Sequence, residues 1–172
     1  MTAVSNQQRM KNLIFLFMAS FFTVPVIAQL KTTTVCNPFV VDILAGKVTG
    51  VEADFTQTQI KQVFPCSTSE EAESVSAKCG GFLFYKDKDI YFYTGRDYIE
   101  IGEKFKGKLS LPLMGAARNS LFKMLGNPKI KDVNWDAFQT QYGILILYYN
   151  KASRINKIQF STKSTDTIKL CE

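Results

Sequence analysis

The chain has 172 residues, a formal net charge of +6 at neutral pH and no histidine. Without histidine it can build neither a Ser-His-Asp nor a Cys-His catalytic arrangement, and it lacks the usual proton shuttle near neutral pH. The lysines are scattered along the sequence without a basic run, so we expect no nucleic-acid partner. The positive charge could favour an acidic partner or an anionic envelope surface, but an ordinary solvated surface explains it more simply.

Residues 1–28 have the layout of a signal peptide. Arg9 and Lys11 supply a positive start, Leu13–Ala28 is largely apolar, and small residues precede the cleavage expected after Ala28. A membrane anchor is the alternative, but the apolar run is shorter than the roughly 20 residues that a spanning helix needs. No cysteine follows the run directly, which argues against a lipid anchor. The sequence therefore predicts a periplasmic or secreted protein with no integral membrane segment after cleavage.

The four cysteines, Cys36, Cys66, Cys79 and Cys171, all follow that segment. An even number of cysteines in an exported chain indicates disulfide bonds, and four cysteines allow three pairings. We favour Cys66–Cys79, which closes a short loop, together with Cys36–Cys171, which joins the two ends of the domain. A zinc site is poorly supported because the chain has no CxxC motif and no histidine, so we expect no metal and no cofactor.

No other catalytic site can be assembled from the residues present. A hydrolase with paired carboxylates is conceivable, but the acids stand in polar clusters such as Glu70, Glu71 and Glu73, where a solvated surface is the simpler interpretation. Asp87 and Asp89 have part of a calcium-loop spacing without its further acid and glycine. Glycine-rich phosphate-binding motifs are absent. We therefore predict no catalytic residues and no enzymatic activity.

Two stretches have the pattern of β-hairpins, with apolar runs on either side of a polar turn. The later one, which organises the chain, pairs Ile144–Tyr149 with Ile155–Phe160, and the earlier one pairs Phe82–Tyr85 with Ile90–Thr94. Further short strands are expected at Tyr98–Ile101, Leu109–Leu111 and Thr167–Leu170, and Val40–Leu44 is expected to be a short strand or a packed lead-in. A solvent-facing loop or loose helix is expected at Glu70–Lys78, and a connection is expected at Lys129–Thr140.

A helix is expected before each hairpin. In the first, Asp54 or Thr56 can cap the helix, Ile60 lies on its apolar face with Val63 and Phe64, and Pro65 ends it. In the second, the apolar face and the stop signals are formed by Ala117, Leu121, Met124, Leu125, Gly126 and Pro128.

Helix and hairpin recur at nearly the same spacing, which indicates two repeats within one domain, residues 29–110 and 111–172. Chance similarity of two common units is the alternative. The sequence thus predicts an α+β fold with helices packed on one face of an antiparallel sheet.

The second half also resembles a known family. A short helix ending in Leu125-Gly126-Asn127-Pro128, then strands at Tyr142–Leu145 and Ile155–Phe160, is similar to the repeat of β-lactamase-inhibitor-protein-like domains and of small outer-membrane-assembly lipoproteins. The first half matches more loosely, since Phe64-Pro65 replaces the Leu-Gly-x-Pro ending. The resemblance implies helices packed on an antiparallel sheet, and a protein that binds other proteins and is not an enzyme.

Aromatic residues are concentrated in the expected strands. With Ile90 and Phe92 directed to the core, alternation directs Tyr91 and Tyr93 to the opposite face. Exposed tyrosines are typical of protein-binding surfaces, although tyrosine also favours strands without any function. The predicted partner-binding residues are Tyr85, Tyr91, Tyr93 and Tyr149 on the sheet, with Trp135 and Phe138 from a loop.

The predicted function is that of an exported, non-enzymatic protein-binding module, either an inhibitor or an envelope interaction protein, with an unknown protein partner. The alternative is a structural or small-ligand-binding envelope protein, which would have an apolar pocket between helices and sheet.

Overall fold

Strands dominate the computed structural model, which describes residues 35–77 and 79–171. The predicted signal peptide, residues 1–28, lies outside the described residues. Among the described residues, short 3-10 helices occur at Thr94–Arg96 and Arg118–Ser120. The other elements, in chain order, are β1 (Val40–Asp42), β2 (Lys47–Val48), α1 (Gln57–Val63), β3 (Ser69–Glu71), β4 (Phe82–Tyr85), β5 (Ile90–Tyr93), β6 (Tyr98–Ile101), β7 (Lys108–Leu109), α2 (Phe122–Leu125), β8 (Ile130–Lys131), β9 (Trp135–Gln139), β10 (Ile144–Tyr149) and β11 (Ile155–Ser161).

Eight strands form one antiparallel sheet, the large sheet, in the order β3-β4-β5-β6-β11-β10-β9-β8. Strands β3 to β6 form one meander and strands β8 to β11 form another. The two meanders meet where β6 pairs with β11, with Ile99 opposite Phe160 and Ile101 opposite Ile158. The centre of the large sheet is therefore built from the last strand of each meander.

One face of the large sheet, the inner face, carries the hydrophobic core. Because side chains alternate along a strand, every second residue of the six central strands lies on this face. Two cross-strand rows result, and all of their members are buried. The rows are Leu83, Phe92, Ile99, Phe160, Leu145 and Phe138, and Tyr85, Ile90, Ile101, Ile158, Leu147 and Asp136.

A small sheet and the first helix cover the inner face. Strand β1 pairs antiparallel with β2 and parallel with β7, and its Val41 belongs to the core. Helix α1 contributes Ile60, and Phe64 at its end stacks on Phe39 with 4.1 Å between ring centroids. Thr56 caps α1 in a capping box with Gln59, which satisfies free backbone donors of the first turn.

The predicted α+β fold with two helix–hairpin repeats is wrong. The described chain is mainly β, with eleven strands in two sheets, and its two α-helices span only Gln57–Val63 and Phe122–Leu125. These helices are too short to cover an eight-stranded sheet, so the small sheet supplies much of the cover. The predicted connection Lys129–Thr140 contains β8 and β9, whereas Thr167–Leu170 is not a strand. The division into residues 29–110 and 111–172 stays a prediction.

The expectation of two disulfide bonds is confirmed, but the predicted pairing is wrong. Cys36 is bonded to Cys66, and Cys79 is bonded to Cys171. Asn37 Nδ2 donates a hydrogen bond of 2.8 Å to the carbonyl of Val63, which holds the chain beside the end of α1 and places Cys36 near Cys66. The final residues run back over the large sheet, which brings Cys171 to Cys79.

Candidate functional site

The face of the large sheet opposite the core, the outer face, carries few charged side chains. The open face of an antiparallel sheet is commonly polar, with a clean alternation along each strand. Here the outer face is aromatic on β4, β5 and β6, polar at the centre, and apolar on β9 and β10. These three regions are therefore the candidates for a functional surface.

Five rings in mutual contact form the aromatic region, which we call the aromatic patch, and four of them are stacked. Phe84 stacks on Tyr91 at 3.8 Å with an interplanar angle of 11°, and Tyr93 stacks on Tyr98 at 4.4 Å and 20°. Tyr91 and Tyr93 are also parallel, with centroids 5.5 Å apart. The members are Phe82, Phe84, Tyr91, Tyr93 and Tyr98, of which Tyr98 is buried and the others are half-buried.

Four of the five rings in the aromatic patch are stacked on one another, whereas Phe82 is tilted by 59° against Tyr91 and by 52° against Tyr93. Because the four stacked rings are nearly parallel, ring edges and phenol hydroxyls make up most of what they leave for contact with solvent or a partner. Burial raises the pKa of Tyr93 to about 12, with a smaller contribution from Glu100. Burial, followed by Glu100 and Asp89, also raises the pKa of Tyr91. At neutral pH these hydroxyls are therefore uncharged and can both donate and accept hydrogen bonds.

A polar strip separates the aromatic patch from the rest of the outer face. Gln159 Nε2 donates to Glu100 Oε2 at 2.6 Å, and Lys157 Nζ lies 3.5 Å from the same carboxylate oxygen. The Lys157 ammonium also lies 4.1 Å from the ring centroid of Tyr148. The two charged groups of the strip are thus paired with each other, and the strip marks one boundary of the patch.

The far half of the outer face is covered by the end of the chain, residues 162–171, which we call the C-terminal strap. Ile168 and Leu170 of the strap pack against a second apolar cluster that includes Ala137, Ile144 and Ile146. These three side chains are buried although they lie on the outer face. The chain therefore supplies its own cover for one half of this face.

Several contacts hold the C-terminal strap in place. Arg96 Nη1 donates to the carbonyls of Lys169 (3.3 Å) and Leu170 (3.0 Å). The backbone N–H of Cys171 donates to the hydroxyl of Tyr98 at 3.0 Å, and the disulfide to Cys79 fixes the end. The strap therefore ends beside the aromatic patch, at Tyr98, and leaves the rest of the patch uncovered.

The predicted partner-binding residues do not form one surface. Tyr91 and Tyr93 lie in the aromatic patch, and Trp135 is half-buried in the strap-covered half of the outer face. Tyr85, Phe138 and Tyr149 are buried in the core on the inner face, so their assignment to an exposed surface is wrong.

Two of these buried tyrosines make structural hydrogen bonds. The Tyr85 hydroxyl donates to the carbonyl of Phe64 at 2.8 Å, which ties β4 to the end of α1. The Tyr149 hydroxyl donates to Asp136 Oδ2 at 2.8 Å. Burial raises the pKa of both phenols, so neither is ionised near neutral pH.

Asp136 is the most buried carboxylate of the described residues, and it is fully paired. The Arg118 guanidinium binds it through Nε at 2.9 Å and through Nη2, and lies 4.6 Å from the Tyr149 ring centroid. The hydrogen bond to Asp136 is the main cause that raises the pKa of Arg118. With no unpaired base or nucleophile beside it, this cluster joins the Arg118–Ser120 turn to β9 and β10 and has the arrangement of a structural ion pair.

Sequence reasoning missed Phe82, Phe84 and Tyr98 as members of the site. The signal was present, because Phe82 and Phe84 alternate with Leu83, and Tyr98 alternates with the apolar Ile99. The same alternation places Tyr85 on the face of Leu83, which is the core face.

Within residues 35–77 and 79–171, no group of three or more His, Cys, Asp or Glu side chains could hold a metal ion. The same residues contain no helix long and apolar enough to cross a membrane. Both disulfides are consistent with an oxidising compartment.

No protein-family model, curated protein or solved structure matches the chain. Membership of the β-lactamase-inhibitor-protein-like family therefore stays a prediction, and the helix-on-sheet fold that the resemblance implied is wrong.

Proposed function

We propose that the protein is an exported, non-enzymatic protein-binding module, and that the aromatic patch is its binding surface. The observation that carries the proposal is the run of stacked aromatic rings on an open sheet face, where polar side chains are the usual occupants. Tyrosine offers large contact area and a polar tip, and such residues dominate the energetics of protein interfaces.

The stacking favours a protein partner over a nucleic acid or a flat sugar. Proteins that bind single-stranded nucleic acids offer free ring faces on which bases stack. In the aromatic patch, Tyr91 lies between Phe84 and Tyr93, so its faces are already in use. The ring edges and hydroxyls that remain suit a partner with apolar side chains and backbone hydrogen-bonding groups.

Export is supported by the signal-peptide layout of residues 1–28 and by the two disulfides, which persist in oxidising compartments. The partner is therefore sought among envelope and secreted proteins.

The proposal is tested by comparing what three forms of the exported chain retain from envelope and secreted fractions. The forms are the wild type, a Tyr91→Ser/Tyr93→Ser variant, and a Val133→Ser control. Val133 is 83% exposed in the turn before β9, so its substitution also removes an exposed apolar side chain, but away from the patch. Mass spectrometry identifies the retained proteins, and urea unfolding confirms that each form is folded.

We expect a stoichiometric partner with the wild type and the Val133→Ser control, and at least tenfold less of it with the double variant. Equal retention of the partner by all three folded forms would show that the aromatic patch is not the binding surface.

A second candidate function is favoured by one groove. It has a volume of about 350 Å³ between the β1–β2 turn, α2 and the large sheet, and its apolar lining includes Ile43, Leu44, Met124, Leu125, Phe138 and Leu145. A small apolar molecule that co-purifies with the chain, in the absence of a protein partner, would favour ligand binding there.

A further inference from the structure

Two loops that are separate in sequence are joined at one corner of the molecule. The turn between β4 and β5 meets the connection between β6 and β7 through three hydrogen bonds. Gly102 N donates to the carbonyl of Asp89 (2.9 Å), Lys104 N donates to Asp89 Oδ2 (2.8 Å), and Lys106 N donates to the carbonyl of Lys88 (3.3 Å). Five lysines that are scattered in the sequence therefore share one corner, which we call the lysine corner: Lys86, Lys88, Lys104, Lys106 and Lys108.

Most of these lysines have no acidic partner. Lys88 is paired with Asp87 at 3.3 Å, but the other four are exposed and form no ion pair within the described residues. Lysines elsewhere are often neutralised, and each of Lys47, Lys61, Lys129, Lys157 and Lys163 lies within 4 Å of a carboxylate. Of the lysines that the structure describes, four others form no ion pair, and these lie on four different elements: Lys123, Lys131, Lys151 and Lys169. Unpaired positive charge is thus concentrated at this corner.

The acids of the corner do not cancel its charge. Asp89 is half-buried and accepts the hydrogen bond from Lys104 N, and Asp87 is held by Lys88. Glu103 is the third acid, so five lysines face three carboxylates.

Apolar side chains lie among the lysines. Val40 pairs with Lys108 in the small sheet and is 43% exposed, and Phe105 is half-buried between Lys104 and Lys106 in the sequence. A surface that combines unpaired cations with apolar side chains suits the interface of an anionic membrane, where both kinds of contact are available.

We propose that the lysine corner binds the surface of an anionic phospholipid membrane. All five cations are lysines and none is an arginine. Arginine is the usual choice where a carboxylate or phosphate is held in a fixed, bidentate geometry, whereas a lysine acts as a mobile point charge. Mobile charges suit a fluid layer of lipid headgroups, which has high charge density without fixed geometry.

Vesicle binding tests this inference. The protein is purified after export, so that a cleaved leader is absent, and is mixed at low salt with phosphatidylglycerol–phosphatidylcholine vesicles or with phosphatidylcholine alone. A Lys104→Ser/Lys106→Ser/Lys108→Ser variant is compared with a control of equal charge change, Lys123→Ser/Lys151→Ser/Lys169→Ser. Because each lysine near an anionic surface contributes appreciably, the corner variant should bind anionic vesicles about tenfold to hundredfold more weakly. The control should stay within about threefold of the wild type.

Binding should also weaken steeply as salt is raised, and it should be absent with phosphatidylcholine alone. Equal losses in the two triple variants would show that net charge, and not this corner, is responsible, and would overturn the proposal. Absence of wild-type binding to anionic vesicles would overturn it too, including the case in which the corner binds a single-stranded oligonucleotide instead. The Tyr91→Ser/Tyr93→Ser variant should bind vesicles normally, because this proposal does not depend on the aromatic patch.

Discussion

The inner and outer faces of the large sheet both carry many apolar side chains, but they are covered in different ways. The inner face lies under the small sheet and α1, and even its one carboxylate, Asp136, is enclosed with Arg118 and Tyr149. On the outer face, the described residues cover one half only, where Ile168 and Leu170 of the C-terminal strap pack on it.

The other half of the outer face has no such cover within the described residues. Its rings instead stack on one another, from Phe84 through Tyr91 and Tyr93 to Tyr98. Stacking reduces the exposed apolar area without a second layer of chain, and it leaves a surface that a partner can complete. The inner face therefore holds the fold together, whereas this half of the outer face is available for binding.

The largest loss of stability is expected when the buried carboxylate of the inner face is removed. Asp136→Ala leaves the Arg118 guanidinium and the buried Tyr149 hydroxyl without their acceptor, so the free energy of unfolding should fall by about 3–5 kcal/mol. Asp166→Ala is the control, because Asp166 is 80% exposed and its ion pair with Lys129 is long, at 3.8 Å; it should cost less than about 1 kcal/mol. Urea unfolding measures both. A cost below about 1 kcal/mol for Asp136→Ala would contradict the structural role of the cluster.

A smaller effect is expected from releasing the C-terminal strap. Cys79→Ser/Cys171→Ser opens a link between residues 92 apart, and the free energy of unfolding should fall by about 2–4 kcal/mol. In the same variant, amide hydrogen exchange at Ile144 and Ile146 should become faster, because the strap that covers them is no longer fixed.

The second disulfide provides the control for the strap. Cys36→Ser/Cys66→Ser also removes a covalent link, but one that lies beside α1, so exchange at Ile144 and Ile146 should change much less. The same exchange rates in both double variants would mean that the disulfide to Cys171 does not hold the cover.

The smallest effect concerns the ionisation of the aromatic patch. Burial raises the pKa of Tyr93 to about 12 and also raises that of Tyr91, relative to about 10 in an unfolded chain. The neutral phenol is therefore favoured by folding. The resulting contribution to the free energy of unfolding is complete below a pH of about 10 and is lost as the pH rises toward about 12.

Ultraviolet titration of the ionised phenol measures this directly. Wild type and Tyr93→Phe should differ by one tyrosine that titrates near 12, and in denaturant all tyrosines should titrate near about 10. If the tyrosine that Tyr93→Phe removes instead titrates near about 10 in the folded protein, Tyr93 is not buried by its neighbours.

The sequence was informative where local rules decide the structure. Both hairpins occur close to their predicted bounds, and Thr56 caps a helix that ends before Pro65. Alternation correctly separated Ile90 and Phe92 from Tyr91 and Tyr93, because hydrophobic burial acts on each strand independently of its partners.

The wrong predictions concern features that depend on contacts between residues distant in the sequence. Trp135–Gln139 is a strand that the local sequence does not indicate. Its Asp136 occupies an inward position, where a buried acid without a partner would be strongly destabilising. Its partner, Arg118, belongs to the turn that shortens the second predicted helix. The disulfide pairing depends on how the strap crosses the sheet, and no spacing between cysteines contains that information.

The most direct test of the binding face is photo-cross-linking at single positions. Tyr91 in the aromatic patch and Val133 away from it are each replaced by the photoreactive residue p-benzoylphenylalanine, and each exported protein is irradiated with envelope and secreted fractions. We expect one specific protein adduct from position 91 and none from position 133. Adducts of the same kind at both positions, or at position 133 alone, would contradict a binding role for the aromatic patch.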